Sequence, residues 1–203
     1  MILGAGGHAK VVADAARLAG WEVIGFIDEL HPDRTDSAFF GAPLLTSQSL
    51  EALPSGSSAA IGIGDCQARL AGARRLLARG FLLPAIVHPR ATTAGSAILR
   101  DACQLMAGAI VNPDAQLGTA VIVNTGATVD HDCRIADGVH LAPGVHLAGN
   151  VSVGESTLVG IGSVVKPGVH IGRHCTVGAG SVVIRDVPDG TTVCGVPAKP
   201  LRS

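Results

Sequence analysis

The segment Val129-Asp130-His131-Asp132-Cys133 brings together side chains that acid–base chemistry needs. A neutral imidazole is a good proton acceptor near pH 7. A carboxylate beside it can fix the tautomer of the ring and strengthen it as a base. His131 and Asp132 therefore suit a reaction in which an amine or hydroxyl loses its proton while attacking a carbonyl carbon. Turns also contain many histidine and aspartate residues without a chemical role, and these residues alone leave both interpretations open.

A six-residue repeat surrounds this segment and predicts how its side chains are placed. Every sixth residue from Leu99 to Val183 is Leu, Ile or Val, and the residue four places further on in each hexad is small or β-branched. A period of six is neither helical nor a simple strand alternation. It indicates a short strand plus a turn. Three such units close a triangular coil of eighteen residues, and stacked coils pair their strands in parallel. The range 99–188 then forms five coils.

The repeat also predicts a direction for each side chain. Aliphatic residues such as Val129 point into the prism, so His131 and Asp132 belong to an exposed turn. The small inward position is occupied by a thiol in three hexads, at Cys103, Cys133 and Cys175. These cysteines are expected to have a packing role. Because no cysteine stands where a nucleophile is needed, direct transfer without a covalent enzyme intermediate is expected.

Gly149 lies one coil beyond His131 on the same face, because the two positions differ by eighteen. Its backbone N–H is a plausible donor to the oxyanion of a tetrahedral intermediate, where dipoles aimed in advance have the largest effect. Ile161 and Ala179 also differ by eighteen and are expected to stack in a second column.

The N-terminal third predicts a different fold. Residues 1–3, 22–27 and 59–63 read as strands, and helical stretches follow at 10–19 and after Asp65. This βαβαβ order is half of a Rossmann unit. The first strand is short, which leaves open whether further residues precede Met1.

The loop Gly4-x-Gly6-x-x-Ala9 nearly matches a dinucleotide fingerprint, in which glycines let backbone amides approach a phosphate at a helix N-terminus. Asp28 lies at the end of the second strand, where a ribose-binding acid is found. A nicotinamide-dependent enzyme is one interpretation, but the segment lacks a second mononucleotide half. A phosphate or nucleotide site is therefore favoured, with a glycine turn that binds nothing as the third possibility.

These motifs together resemble one family. The repeat, followed by Asp-Val-Pro at 186–188 and Gly-Val-Pro-Ala-Lys at 195–199, is similar to the hexapeptide-repeat acyltransferases, which form left-handed parallel β-helices. The hand of the helix follows from this resemblance alone. The segments 4–9, 26–29 and 61–65 narrow it to the bacterial nucleotide-aminosugar N-acetyltransferases of bacillosamine and perosamine type and the sialic-acid O-acetyltransferase. The resemblance covers nearly the whole chain.

The resemblance implies a Rossmann-like nucleotide-sugar-binding domain over residues 1–86 and a left-handed parallel β-helix, binding acetyl-CoA and catalytic, over residues 87–203. The implied activity is acetyl-CoA-dependent N-acetylation of a nucleotide-linked 4-amino-4,6-dideoxy sugar. O-acetylation of sialic acid or another sugar hydroxyl is the nearest alternative, because the same base would serve. The alternative that is not an enzyme is a β-helix protein that binds a nucleotide-sugar without catalysing a reaction. Neither the nucleotide (UDP, GDP or dTDP) nor the sugar stereochemistry can be read from the sequence.

The same resemblance assigns roles to residues. It implies that His131 is the base and Asp132 its acidic partner. It places acetyl-CoA along positions that match His140, Ile161 and Ala179. Gly149 joins this set through its position one coil beyond His131. Lys199 in the tail is a candidate contact for a CoA phosphate, although a single lysine near a terminus is more often an exposed residue without a ligand. The implied nucleotide-sugar contacts are Gly6, Gly7, His8, Asp28, Glu29, Gly64 and Asp65.

His131 and His140 are nine residues apart, which is half a coil, so they belong to different edges of the prism. One subunit cannot easily bring both edges to a single thioester, whereas two subunits packed side by side can. This arrangement predicts a homotrimer with active sites in the clefts between subunits.

Composition argues against several other functions. The formal net charge of −1 gives no reason to expect a nucleic-acid or acidic-membrane partner. No uninterrupted apolar run is long enough to span a bilayer, and Met1 to Lys10 do not form a signal peptide, so a cytoplasmic protein is expected. The five cysteines have no metal-type spacing, and no metal site is expected. Abundant glycine, 27 residues, with 2% aromatic residues favours a repetitive architecture.

Overall fold

The structure, a computed structural model, describes residues 1–29 and 37–201. The N-terminal unit consists of β1 (Ile2–Leu3), α1 (Gly7–Leu18), β2 (Phe26–Ile27), β3 (Ala38–Phe39), β4 (Ala42–Leu45), α2 (Ser47–Glu51), β5 (Ala60–Ile61) and α3 (Cys66–Ala78). Its sheet has the order β3-β4-β2-β1-β5, and every pair is parallel except β3 with β4. The Rossmann-like arrangement predicted from the sequence is confirmed.

Two details of this unit differ from the prediction. Helix α1 begins at Gly7, with Gly6 as its N-cap, instead of at Lys10. The connection from β2 to β5 contains the β3–β4 hairpin and the short α2, which the βαβαβ pattern did not include. Phe40 and Gly41, at the tip of the hairpin, both have positive φ, the backbone that a two-residue hairpin turn needs. Phenylalanine is uncommon in that conformation, so its sequence gives little turn signal.

Helix α1 packs closely on the sheet because small residues meet at the contact. Ala9, Val12, Ala13 and Ala16 follow helical spacing and are buried. A Cβ atom at Gly62, just after β5, would lie 2.6 Å from the Cβ of Ala9. Only glycine fits there, and this close approach holds the glycine loop of residues 4–7 against the end of β5.

The second unit is a triangular prism of two-residue strands. Wall 1 contains β7 (Thr92–Thr93), β10 (Ile110–Val111), β13 (Thr128–Val129), β16 (His146–Leu147), β19 (Val164–Val165) and β22 (Val182–Val183). Wall 2 contains β8 (Ile98–Leu99), β11 (Gln116–Leu117), β14 (Arg134–Ile135), β17 (Ser152–Val153) and β20 (His170–Ile171). Wall 3 contains β6 (Ile86–Val87), β9 (Gln104–Leu105), β12 (Ile122–Val123), β15 (His140–Leu141), β18 (Leu158–Val159), β21 (Thr176–Val177), β23 (Thr192–Gly195) and β24 (Ala198–Pro200).

The register is the one that the hexad predicts. Thr128 pairs with His146 and Val129 with Leu147, so parallel partners differ by eighteen residues. The second residue of each strand points inward, and from Leu105 to Val183 these residues are at most 3% exposed. The small position is buried as well, with Cys103, Cys133 and Cys175 among its members. The packing role expected for these three thiols agrees with this burial.

Turns at three edges join the walls, and most of them contain a residue of left-handed backbone. We call them edge 1/2, between walls 1 and 2, and likewise edge 2/3 and edge 3/1. At edge 1/2 the left-handed residues include Asp114, Asp132 and Asn150, with φ of 61°, 60° and 59°. Aspartate and asparagine tolerate this backbone better than most side chains. Position 132 thus has a conformational reason for a short polar residue, separate from any chemistry.

The N-terminal unit packs on the outer face of wall 3. Gln104 and Ile122 point outward from that wall and are nevertheless buried. Met106 belongs to the hydrophobic cluster around α1, and Ala102 and Ala120 belong to the cluster around α3. The two units therefore share their apolar cores. No helix in the described part of the chain is long and apolar enough to cross a bilayer.

Candidate functional site

His131 and Asp132 form the tip of the turn between β13 and β14 at edge 1/2. Nδ1 of His131 lies 2.8 Å from Oδ2 of Asp132. A carboxylate only accepts hydrogen bonds, so Nδ1 carries the proton and Nε2 keeps its lone pair. The hydrogen bond to Asp132 raises the pKa of His131 above its ordinary value. About half of each side chain is exposed, so Nε2 is accessible to a proton donor.

Asp130 holds the turn that carries His131. Its Oδ1 accepts the backbone N–H of His131 at 2.8 Å and Nδ2 of Asn112 at 3.0 Å. The hydrogen bond from the His131 amide holds the pKa of the Asp130 carboxyl below its usual value. The sequence analysis did not assign a role to Asp130 or Asn112. Their separation of eighteen residues is the signal that could have paired them.

Gly149 lies directly beside the imidazole of His131. A Cβ atom built on Gly149 would be 2.5 Å from Cε1 and from Nε2 of that ring. Among residues 1–29 and 37–201 the backbone N–H of Gly149 has no hydrogen-bond acceptor. The structure thus brings a free backbone donor and a ring nitrogen with a lone pair to the same place on edge 1/2.

The residues predicted to contact acetyl-CoA lie in different parts of the β-helix. Ile161 and Ala179 lie in the turns of edge 3/1, and Ile161 is 57% exposed. His140 is the first residue of β15 in wall 3, where the N-terminal unit covers it, and so it does not stack with them. Lys199 is exposed in β24, in an antiparallel pair with Cys194. Edges 1/2 and 3/1 both border wall 1.

A cavity of about 530 Å³ opens in the N-terminal unit, at the carboxyl ends of β1, β2 and β5. This is where ligands bind in open α/β sheets. All seven residues predicted to contact a nucleotide-sugar line it: Gly6, Gly7, His8, Asp28, Glu29, Gly64 and Asp65. No atom lies within 4 Å of a Cβ built on Gly6 or Gly7, so the backbone at the start of α1 is open to a ligand.

Helix α3 forms the opposite wall of this cavity and was not included in the predicted site. Ala68, Ala71 and Gly72 give it a smooth, apolar surface. Arg75 lies at the rim, and its Nη2 donates to both carboxylate oxygens of Glu29 at 2.8 and 2.7 Å. The predicted contact Glu29 is thus already engaged in an ion pair.

His8 connects the cavity to the β-helix. Nε2 of His8 lies 2.7 Å from Oε1 of Gln104, whose Nε2 donates to the carbonyl of Ile61. Because the Gln104 oxygen can only accept, Nε2 of His8 carries the proton. Burial lowers the pKa of His8, so the ring is neutral near pH 7 and its Nδ1 has a lone pair.

His140 lies beside His8, with the ring centroids 6.1 Å apart. Its Nδ1 donates to the carbonyl of Gly64 at 3.2 Å, and its Nε2 accepts from Nδ2 of Asn124 at 3.1 Å. Burial is the main cause that lowers the pKa of His140 to about 4. This histidine is therefore neutral near pH 7 and occupies the junction between the cavity and wall 3.

The three buried thiols of the repeat face the interior of the prism. Cys103 donates to the carbonyl of Gly118, Cys133 to that of Ala148 and Cys175 to that of Pro188. Burial raises the pKa of Cys103 to about 12. Within the described ranges, no three His, Cys, Asp or Glu side chains are grouped as a metal site.

Two family models match the chain. The PglD N-terminal domain matches residues 1–76, and the bacterial transferase hexapeptide model, with six repeats, matches residues 150–185. The expected fold class, a Rossmann-like unit followed by a left-handed parallel β-helix of hexapeptide repeats, is confirmed. Fold and site together define the class: a hexapeptide-repeat acetyltransferase with a PglD-type N-terminal domain.

Solved structures match over the whole chain. The acetyltransferase domain of PglB from Neisseria gonorrhoeae FA1090 is 40% identical and superposes with a TM-score of 0.93, covering 98% of each chain. A variant of perosamine N-acetyltransferase from Caulobacter crescentus, in complex with CoA and GDP-perosamine, is also 40% identical, with a TM-score of 0.93 over all of this chain and 96% of the other. The chain belongs to the acetyltransferase family that contains these two proteins.

Curated relatives match over half of this chain or less. The serine acetyltransferase of Synechococcus elongatus is 32% identical over 112 residues, which are 50% of this chain and 46% of that protein. The match therefore spans under half the length of that relative.

Proposed function

We propose that the protein transfers the acetyl group of acetyl-CoA to the amino group of a nucleotide-linked 4-amino-4,6-dideoxy sugar. The observation that carries this proposal is the exposed Nε2 of His131, aligned by Asp132 and lying beside the free N–H of Gly149. A base and an oxyanion donor are the two groups that acyl transfer to an amine requires. The complex of perosamine N-acetyltransferase with CoA and GDP-perosamine supports the substrate class.

In this mechanism the sugar amine attacks the carbonyl carbon of the thioester. A C–N bond forms, the carbonyl oxygen becomes negatively charged, and Nε2 of His131 accepts a proton from the amine. Asp132 stabilises the imidazolium through its hydrogen bond to Nδ1. The N–H of Gly149 donates to the oxyanion. The carbonyl then re-forms, the C–S bond breaks, and the thiolate of CoA leaves and takes up the proton.

The cavity of the N-terminal unit is the acceptor site in this proposal. Gly6 and Gly7 present open backbone at the N-terminus of α1, which suits a diphosphate. Asp28 and Glu29 follow β2, and Gly64 and Asp65 follow β5, so their positions suit the nucleoside. His8 is neutral, and its Nδ1, which has no hydrogen-bond partner among residues 1–29 and 37–201, lies next to the same cavity.

Acetyl-CoA is proposed to lie along edge 3/1 against Ile161 and Ala179. A large exposed aliphatic side chain such as Ile161 suits the apolar part of the pantetheine arm. Lys199, in the terminal hairpin, is proposed to meet a phosphate of CoA. Both ring nitrogens of His140 already have partners, so its proposed contact with CoA uses the ring face or follows a rearrangement of Asn124.

The active assembly is proposed to be a homotrimer in which wall 1 faces the threefold axis. Its outward residues include Ile110, Thr128, His146, Val164 and Val182, of which Ile110 and Val164 are exposed aliphatic residues. Edges 1/2 and 3/1 flank this wall. Threefold packing through wall 1 therefore brings His131 of one chain to Ile161 of the next, which completes a site that one chain leaves divided.

The test of this function is a binding and turnover panel on the purified protein. UDP-, GDP- and dTDP-linked 4-amino sugars are compared by thermal shift with and without CoA, because a ligand that binds only the native state raises the melting temperature. Acetylated product is then measured for the nucleotide that stabilises most. Absence of product with every nucleotide-linked amine would refute N-acetylation, and product from sialic acid instead would identify the O-acetyltransferase alternative.

A further inference from the structure

Arg69, on α3, is a fully buried arginine between the two units of the chain. On one side, Nε donates to the carbonyl of Ala120 at 2.8 Å and Nη2 donates to the carbonyl of Gly138 at 2.7 Å. On the other side, Nη1 donates to the carbonyl of Gly64 at 2.6 Å. Longer bonds of 3.3 Å reach the carbonyls of Ile63, Asp65 and Val139. One guanidinium thus joins two turns of edge 2/3 to the loop that lines the cavity.

The chemistry of these contacts is unusual for a buried cation. Among the described residues no carboxylate forms an ion pair with Arg69, and its hydrogen-bond acceptors are backbone carbonyls. Asp65 instead caps α3, since its Oδ1 accepts the N–H of Ala68 at 2.8 Å. Burying a charge without a countercharge has a large desolvation cost, and apolar packing would join two surfaces more cheaply. Unlike apolar packing, the planar guanidinium fixes the orientation of several backbone carbonyls at once.

One of those carbonyls also sets the state of His140. The Gly64 oxygen accepts from Nη1 of Arg69 and from Nδ1 of His140. The backbone of Gly138 and Val139, which Nη2 holds, leads directly into His140. Arg69 therefore fixes both the acceptor of the His140 ring and the chain segment that carries the ring.

We propose that Arg69 is a positioning residue that couples the acceptor cavity to the acetyl-CoA site through the Gly64 peptide and His140. The peptide between Gly64 and Asp65 carries the carbonyl that accepts hydrogen bonds from both Arg69 and His140. A ligand that shifts this peptide therefore changes the hydrogen bond, and with it the orientation, of the His140 ring. This inference rests on the proposed function for the identity of the two sites, but the contacts of Arg69 do not depend on it.

The charges around His140 agree with this role. The ring faces His8 from α1, Arg69 from α3, the Gly64 carbonyl and the amide of Asn124. The positive charge of Arg69 opposes protonation of both histidines. Burial is the main cause that lowers the pKa of both rings, and the charge of Arg69 adds to it while its hydrogen bonds orient the junction.

The first measurement needs no ligand. Ring ¹⁵N shifts of the wild-type protein report the tautomer of His140, and the Nδ1–H form is expected. Arg69→Lys keeps the charge but cannot direct carbonyls of both units, so the Nδ1–H signature is expected to weaken or disappear. Arg74→Met is the matched control. Arg74 is on the same helix and also bridges to the β-helix, through Asp137 and Glu155, but it is exposed. It should leave the His140 ring unchanged.

The second measurement is the coupling between ligands. CoA affinity is measured by calorimetry with and without the nucleoside diphosphate that binds the wild type, among UDP, GDP and dTDP. A change of about fivefold or more is expected in the wild type and in Arg74→Met, and a ratio near one in Arg69→Lys. An Nε2–H tautomer of His140 in the wild type would overturn the proposal even if no Arg69 variant folds. A folded Arg69→Lys with an unchanged ring and unchanged coupling would also overturn it. Failure to bind any nucleotide or CoA would refute the proposed function, while the ring measurement would still decide the role of Arg69.

Discussion

His131 and Gly149 stand one coil apart on the same edge, and the imidazole occupies the space that a side chain at Gly149 would fill. The distance from Nε2 of His131 to a Cβ built on Gly149 is 2.5 Å. Because the coils are in register at eighteen residues, this contact follows from the stacking of the β-helix itself. The same absence of a side chain lets the imidazole lie against Gly149, whose backbone N–H has no hydrogen-bond acceptor among the described residues.

Gly149→Ala should therefore reduce activity without unfolding the protein. The φ of Gly149 is not in the left-handed region, so the backbone accepts alanine, while the new methyl group displaces the imidazole. A shift of about 1 Å in a catalytic group can cost about 100-fold in rate, and kcat is expected to fall by that order. Gly95→Ala is the control, because Gly95 is on the same edge and has no atom within 4 Å of its Cβ position. Equal kcat values for the two variants would contradict the assignment.

His131→Ala should lower kcat by about 10²- to 10⁴-fold, the usual contribution of a general base. Thermal unfolding is expected to change little, since the side chain is half exposed. His174→Ala is the control. His174 is an exposed histidine in a turn of edge 2/3, and alanine already occupies the equivalent left-handed position at Ala102 and Ala120. Steady-state kinetics of both variants test the prediction, and undiminished turnover by His131→Ala would exclude it as the base.

Asp132→Asn should move the acid limb of the pH profile of kcat/KM to lower pH. The base must be neutral to accept a proton, so activity rises with pH through the pKa of His131. Asp132 raises that pKa by stabilising the imidazolium. Removing the negative charge lowers the pKa and also weakens the base, so the plateau is expected to fall by about tenfold. Asparagine keeps the left-handed backbone, as Asn150 does one coil away. A limb at unchanged or higher pH would show that Asp132 does not act on His131.

Cys133→Ala should retain activity, because the thiol points into the prism and donates to the carbonyl of Ala148. Alanine already occupies the equivalent inward position at Ala115 and Ala127. The loss of one buried atom is expected to cost about 1 kcal/mol in the free energy of unfolding. Denaturant unfolding and turnover are measured together. Intact-mass spectra after incubation with acetyl-CoA alone should show no acetylated protein, and an acetyl adduct on Cys133 would refute direct transfer.

Ile110→Glu should disrupt the trimer, because a carboxylate on wall 1 would be buried against two copies of itself at the threefold axis. Ile98→Glu is the control, since Ile98 is an exposed isoleucine at the same strand position on wall 2. Sedimentation should show a smaller species only for Ile110→Glu, with activity lost in parallel. A monomeric wild type with full activity would contradict the proposed assembly.

The β-helix could be predicted from the sequence because each coil is built from the same local rule. Strand, turn and inward position recur every six residues, and pairing at eighteen follows from closing a triangle. Edge positions follow from the same arithmetic, which is why Gly149 could be placed next to His131. The seven cavity residues were named through the family resemblance, and they lie together because they follow β1, β2 and β5, whose carboxyl ends meet at one edge of the sheet.

Features that depend on packing between distant segments could not be predicted. Helix α3 carries three arginines that the sequence does not distinguish from one another, Arg69, Arg74 and Arg75. Arg69 is buried among backbone carbonyls, Arg74 joins the two units at the surface, and Arg75 lies at the rim of the cavity. Only the docking of α3 on wall 3 distinguishes them. His140 likewise has a strand position fixed by the repeat, but its neutral, doubly hydrogen-bonded ring comes from the unit packed over it. The local six-residue period thus determined the β-helix and its edges. Desolvation and hydrogen bonding between the two units were decided by the packing of the N-terminal unit on wall 3, which no local pattern encodes.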